Sequence, residues 1–196
     1  MSDLMGPAPV NALNGAHFDG YVRVTEEPLR GMITLRGDLT DQSLRRVATA
    51  VTGCVMPDRR GISAQGEAAI AWMSPDELLV SLPLAETGAA MARFAADMSD
   101  PALSAVEVSH ARSLFSLIGP DGLVREVIAK LAPVDMDPDA FAIGEIRRTH
   151  LGQVAAAFWC PVPGRIELVC FRSVAEYVFT ILCDAAREDG IVGLYG

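Results

Sequence analysis

No stretch of this 196-residue sequence approaches the ~18 consecutive apolar residues of a membrane-spanning helix, so a bilayer anchor is not expected. The opening Met1-Ser2-Asp3-Leu4-Met5-Gly6-Pro7 has neither a basic n-region nor an apolar h-region, which predicts a cytoplasmic protein. Positive charge is scarce: Lys+Arg number 16 against 25 Asp+Glu, a net charge of −9. The adjacent arginines Arg45-Arg46, Arg59-Arg60 and Arg147-Arg148 never extend into a basic run, so phosphate backbones would be repelled and nucleic acid is not an expected partner. There is no Cys-x-x-Cys, and none of His17, His110 and His150 has a second histidine or cysteine within four residues, so zinc has no sequence support.

Catalytic signatures are missing too. No Gly-x-Ser-x-Gly elbow occurs, and no cysteine sits in a setting that would lower its pKa. Gly119-Pro120-Asp121-Gly122 comes nearest to a nucleotide loop but matches neither the dinucleotide fingerprint nor the Walker pattern. Pro120 lacks the amide such a cradle uses, so the segment reads as a helix start. Asp135-x-Asp137-x-Asp139 opens like a calcium loop, then places Ala140 where glycine is needed and Ile146 where a bidentate glutamate is needed. It reads as a solvated acidic loop. Cys54, Cys160, Cys170 and Cys183 are widely spread and read as thiols of a reducing compartment, with Cys160 and Cys170 out of register for a bridge.

What is present reads as a scaffold built twice. Ile33-Thr34-Leu35-Arg36-Gly37 reads as a strand, followed by a helix over 41–52 with Leu44, Val47, Ala48 and Val51 on one face, Thr40 as N-cap and Gly53 beyond its end. Phe115-Ser116-Leu117-Ile118-Gly119, whose glycine lies 82 residues after Gly37, precedes a helix carrying Leu123, Val124, Val127, Ile128 and Leu131. Each copy continues into a hairpin, 69–73 with 78–82 and then 153–160 with 165–170, around a proline-containing turn. Each ends in a second amphipathic helix: 86–98 with Met91, Phe94, Ala95 and Met98 on one face, and one from Ser173, where Ser173 and Glu176 have capping-box spacing. The predicted fold is α+β, two related β-α-β-β-α halves from an internal duplication. Residues 1–28 read as an extended N-terminal arm, 29–101 as the first half and 102–196 as the second. Residues 54–66 and 134–144 read as loops, and 106–108 as a strand leading into the second copy.

Among polar residues, Arg112, Arg148 and Arg172 stand out, because a guanidinium tolerates partial burial and pairs bidentately with carboxylates. Three readings stay open for them: an inter-subunit salt bridge, a folate-like tail, or an intrachain ion pair. His110 reads as an acid or base, or as a surface or interface histidine, and Trp72 and Trp159 as core residues of the two hairpins.

Trp72-Met73-Ser74-Pro75-Asp76-Glu77, Arg112-Ser113-Leu114-Phe115-Ser116-Leu117-Ile118-Gly119-Pro120, Phe141-Ala142-Ile143-Gly144, Arg148-Thr149 and Phe171-Arg172-Ser173-Val174-Ala175-Glu176-Tyr177 together resemble the gamma subunit of heterotetrameric sarcosine oxidase. The resemblance runs from about residue 30 to the end. It implies a complex of alpha, beta, gamma and delta subunits that oxidatively demethylates sarcosine to glycine, with hydrogen peroxide and methylenetetrahydrofolate as products. It also implies that FAD, a covalent FMN, NAD, zinc and the tetrahydrofolate site reside on the other subunits. The implied fold is similar to the folate-binding domain of the glycine-cleavage aminomethyltransferase, yet the acidic residue those enzymes use on folate has no counterpart here: Asp76 and Asp121 are explained by a turn and a helix start. The expectation is a non-catalytic assembly subunit, and the alternative is a stand-alone folate-binding one-carbon carrier or aminomethyltransferase-like protein.

Overall fold

The computed structural model describes residues 8–195. In chain order the elements are β1 (His17–Asp19), β2 (Arg23–Glu26), β3 (Arg30–Arg36), α1 (Gln42–Thr52), β4 (Ile62–Gln65), β5 (Ala68–Ser74), β6 (Glu77–Pro83), α2 (Thr87–Asp97), β7 (Ser104–Glu107), β8 (Arg112–Ile118), α3 (Asp121–Ala129), β9 (Ile146–Leu151), β10 (Val154–Val162), β11 (Arg165–Phe171) and α4 (Ala175–Ala185). They make two antiparallel sheets, ordered β4-β5-β6-β3-β7 and β1-β2-β8-β11-β10-β9. From β3 to α2 and again from β8 to α4, the chain runs strand, helix, three-strand meander, helix. The α+β class and both hairpins are as the alternation of apolar residues predicts.

Alternation along each strand sends side chains to two faces, and here both faces are used. On one face of the five-stranded sheet, Ile33, Leu35, Ile70 and Val80 pack with Leu44 and Val47 of α1 and Phe94 of α2. On one face of the six-stranded sheet, Phe115, Leu117, Phe158 and Leu168 pack with Val127 of α3 and Val178 of α4. The remaining faces meet each other: Met32, Ala71, Met73 and Leu79 lie against Ile146, Ala157, Trp159 and Val169. The layering is helix, sheet, sheet, helix. The β4 and β9 edges are tied by a Gly61–Glu145 bridge and by Ile62 and Ile146 amides donating to Gly144 and Arg60 carbonyls at 2.9 and 2.8 Å.

The two sheets trade leading strands. β2 runs straight into β3 along the chain but pairs with β8, Thr25 opposite Ser116. Likewise β7 runs into β8 but pairs with β3, Thr34 opposite Val106. Residues 17–19 and 23–26 are therefore strands joined by a short bend and not an extended arm; Val22 and Val24 are fully buried. The part of that arm at residues 1–7 lies outside the described residues. Glu26, also buried, fixes the preceding loop by accepting the amides of Leu13 at 3.0 Å and Gly15 at 2.9 Å. The seam expected near residue 101 falls before β7, which still belongs to the first sheet.

Smaller expectations are corrected as well. The N-cap of α1 is Asp41, not Thr40: its carboxylate accepts the Leu44 amide at 2.9 Å, while Thr40 bonds back to Asp38. Gly53 does end that helix, at φ 72°. The 54–66 loop contains β4, and β9 occupies 146–151, where no strand was predicted. No capping box forms at Ser173, because a turn of 3-10 helix over Arg172–Val174 precedes α4 and Val174 takes the cap position without a side-chain bond. On α2 the buried face is Thr87, Ala90 and Phe94, with Ala95 exposed.

Two buried charges hold irregular segments in place. Arg125 of α3 is 3% exposed; it donates to Asp121 and to the Met136 and Phe141 carbonyls, each at 2.8 Å, pinning the 134–144 loop. Glu126 accepts three consecutive amides, Val192 at 2.9, Gly193 at 2.6 and Leu194 at 3.1 Å, and pairs with Lys130 at 2.9 Å. Burial alone would raise the Glu126 pKa, but Lys130 and the three amides prevail and hold it at about 2.

Candidate functional site

Where the two sheets diverge beside their apolar contact, a cleft of about 810 Å³ opens. Met32, Leu79 and Trp159 form apolar wall, and Arg30, Arg165 and Glu167 are among the polar groups. Trp159 owes its place to β10, which turns it toward the other sheet; its indole N–H donates to Glu167 at 3.0 Å. Arg165 is held between Glu167 at 2.8 Å and Glu27 at 3.1 Å. Arg30 donates to the Glu67 carbonyl and faces its carboxylate at 3.8 Å. Three carboxylates, Glu27, Glu67 and Glu167, thus answer two arginines, leaving the cleft one negative charge in excess. Among the described residues, no histidine, cysteine, lysine or aspartate lines it.

That composition limits its chemistry. Its cations are engaged by carboxylates, so an anionic ligand would first have to displace a resident partner. It has no nucleophile with an adjacent base. Ser81 is the hydroxyl on its wall, with no histidine or lysine there to activate it.

The three arginines singled out in the sequence lie outside the cleft lining and have different roles. Arg148 of β9 pairs with Glu77 of β6 at 3.2 Å, an intrachain bridge between the sheets. Arg36 meets the same carboxylate at 2.6 Å. Arg172 donates to the Val10 and Asn11 carbonyls at 2.7 and 3.1 Å, fastening the N-terminal segment. Arg112 has no ion pair or hydrogen bond among the described residues; its guanidinium carbon lies 3.9 Å from the centroid of the Phe171 ring. Burial lowers its pKa, partly offset by Glu77. Sequence reasoning missed Glu77, the carboxylate shared by Arg148 and Arg36, because it follows the exposed turn residues Pro75 and Asp76 and reads as part of that turn.

Other sequence candidates are placed apart. His110 is exposed in a 3-10 turn, and Asp135 and Asp137 accept the Asp137 and Asp139 amides at 3.0 and 2.9 Å as loop-forming turns. Among the described residues no group of three His, Cys, Asp or Glu side chains converges as for a metal, and no helix is long and apolar enough to cross a membrane. Trp72 is partly buried in the outer core of the first half, whereas Trp159 belongs to the inter-sheet layer. All four cysteines are free thiols; burial pushes Cys170 up to about 12, and burial with Asp184 pushes Cys183 up to about 11.

This architecture is similar to known proteins. The gamma subunit of sarcosine oxidase from Corynebacterium sp. (strain P-1) is 27% identical over 172 residues, covering 86% of this chain and 82% of that one. A chain of the heterotetrameric sarcosine oxidase from Corynebacterium sp. U-96, solved in complex with pyrrole 2-carboxylate, superposes with a TM-score of 0.76 at 21% identity, covering 87% and 86% of the two chains. The glycine cleavage system aminomethyltransferase T from Bartonella henselae shares the fold at a TM-score of 0.56 and 10% identity, over 80% of this chain and 44% of that one. Residues 36–188, from the last residue of β3 through α4, match the model of the sarcosine oxidase gamma subunit family, and the chain belongs to that family.

Proposed function

We propose that this chain is a non-catalytic gamma subunit of a heterotetrameric sarcosine oxidase, supporting assembly of a complex that demethylates sarcosine oxidatively. The observation that carries the reading is the family match, which runs from the last residue of β3 through α4 and takes in strands of both sheets. The chemistry of the cleft agrees with it. A set of glutamates and arginines paired within each sheet, with no activated nucleophile, suits a structural wall and leaves redox and one-carbon chemistry to other chains.

In this reading the partners are alpha, beta and delta subunits in the cytoplasm, which would carry FAD, FMN, NAD, zinc and tetrahydrofolate. Arg112, Arg148 and Arg172 mark the end of the molecule that meets them. The alternative of a stand-alone folate carrier fits less well: a folate tail is anionic, and both cleft arginines are already neutralised within an acidic lining.

Co-expression with the alpha, beta and delta chains followed by size exclusion tests the proposal. Co-elution at one complex mass, with no sarcosine turnover by the isolated chain, is expected. A chain that stays monomeric beside all three subunits, or that turns over sarcosine alone, overturns it. Tight, saturable tetrahydrofolate binding by the isolated chain would favour the carrier instead.

A further inference from the structure

Phe171 closes β11 with its side chain 48% exposed, an unusual position for a phenylalanine on a sheet face that elsewhere is covered. The strand register explains it. Leu114 and Val169 are paired across β8 and β11 in the inter-sheet layer, and Arg112 and Phe171 are the next pair pointing the same way. Ala155 and His150, paired across β10 and β9, continue that face and are exposed. Here the inter-sheet surface runs out from under its cover and reaches solvent.

The charge at this end runs against that of the chain. Glu77, 4% exposed, is already shared by Arg36 and Arg148, and the exposed Asp76 lies near the same two arginines. With Arg112 added, three guanidinium groups stand against these two carboxylates, more cations than anions in a protein of net charge −9. Arg112 lies over the Phe171 ring and its N–H groups have no acceptor among the described residues. A guanidinium held against an aromatic ring offers a ready bidentate edge to a carboxylate.

We propose that Arg112 and Phe171 receive an acidic segment of another polypeptide, a carboxylate pairing with Arg112 while the aliphatic part of that segment covers the Phe171 ring. A polypeptide meets both demands. A phosphate group would satisfy the charge but leave the ring and Ala155 in water. The inference rests on the assembly reading above and adds what the partner brings to the contact.

The chain has one lysine, Lys130, engaged by Glu126, so R112K introduces a unique reactive amine on this face. Zero-length carbodiimide coupling of the assembled R112K complex should join position 112 to an aspartate or glutamate of another subunit. R112E should weaken assembly roughly thirtyfold or more and F171S roughly tenfold, while R93E, on an exposed helix face, stays within about threefold of wild type. R112E should keep the wild-type melting profile. A wild-type chain that enters the complex, combined with an R112E chain that enters it equally well, overturns this proposal and leaves the assembly reading standing. Coupling of position 112 only to copies of this chain, or Arg112-dependent binding to an oligonucleotide, overturns it as well. A wild-type chain that enters no complex removes both.

Discussion

The carboxylate of Glu77 on β6 lies 3.2 Å from the guanidinium of Arg148 on β9, the ion pair that joins the two sheets at the end of their shared face. Glu77 is buried, whereas Arg148 and Arg36 are about half exposed. The asymmetry sets the expected costs. E77A strands two cations, but ones that water still reaches, so a loss of about 1–2 kcal/mol is expected in urea unfolding. R148A leaves Glu77 paired with Arg36 and should cost less than about 1 kcal/mol.

Glu126 gives the protein a predictable acid response. Its folded pKa, about 2, is depressed below the ordinary 4.5, so its contribution is fully present above the unfolded value and is lost as pH falls from about 4.5 toward 2. Unfolding free energies measured between pH 7 and pH 2 should fall across that window by on the order of 2 kcal/mol more in wild type than in E126Q. Amide exchange at Val192, Gly193 and Leu194 should quicken in the variant even at pH 7, since the shared acceptor becomes a weaker one.

Arg125 is the buried cation whose loss should be felt most. R125M leaves the Met136 and Phe141 carbonyls without their donor and Asp121 without its ion pair. A loss of about 3 kcal/mol is expected by denaturant titration. R125K, which can reach fewer of the three acceptors, should fall between.

The thiols should be slow to react in the folded chain. Burial raises the pKa values of Cys160, Cys170 and Cys183, the last two to about 12 and about 11, and Cys54 is buried. A disulfide-exchange dye at pH 7.5 should therefore titrate almost none of them natively and all four in guanidinium.

A chain starting at residue 29 should be insoluble or strongly destabilised. It lacks β2, whose neighbour Val22 and own Val24 are fully buried and contribute about 1.5–3 kcal/mol each. Soluble expression and circular dichroism of the truncated chain provide the check.

Legibility in the sequence followed local periodicity. The hairpins at 69–82 and 153–170 alternate apolar and small residues around a proline turn, so both were readable. β1 and β2 were hidden because glycines and prolines surround short, partly charged runs, and their partner β8 lies some ninety residues further on. β9 was hidden because Arg147, Arg148 and His150 dominate a sheet edge where one face meets solvent. The cleft could not be read at all. Its arginines are neutralised by Glu27 and Glu67, which no local pattern places near Arg165 or Arg30.

The crossing of β2 and β7 also shapes how the protein is made. A nascent chain emerging from the ribosome presents β2 with β1 already available beside it, but the other edge of β2 stays open while β3 through β7 are synthesised, until β8 can receive it. Meanwhile β3 gains its second neighbour only when β7 arrives, which leaves its backbone amides and carbonyls open to foreign strands until then. Neither sheet closes on one continuous stretch of chain: β8 must find β2, and β7 must find β3, across the elements that lie between them.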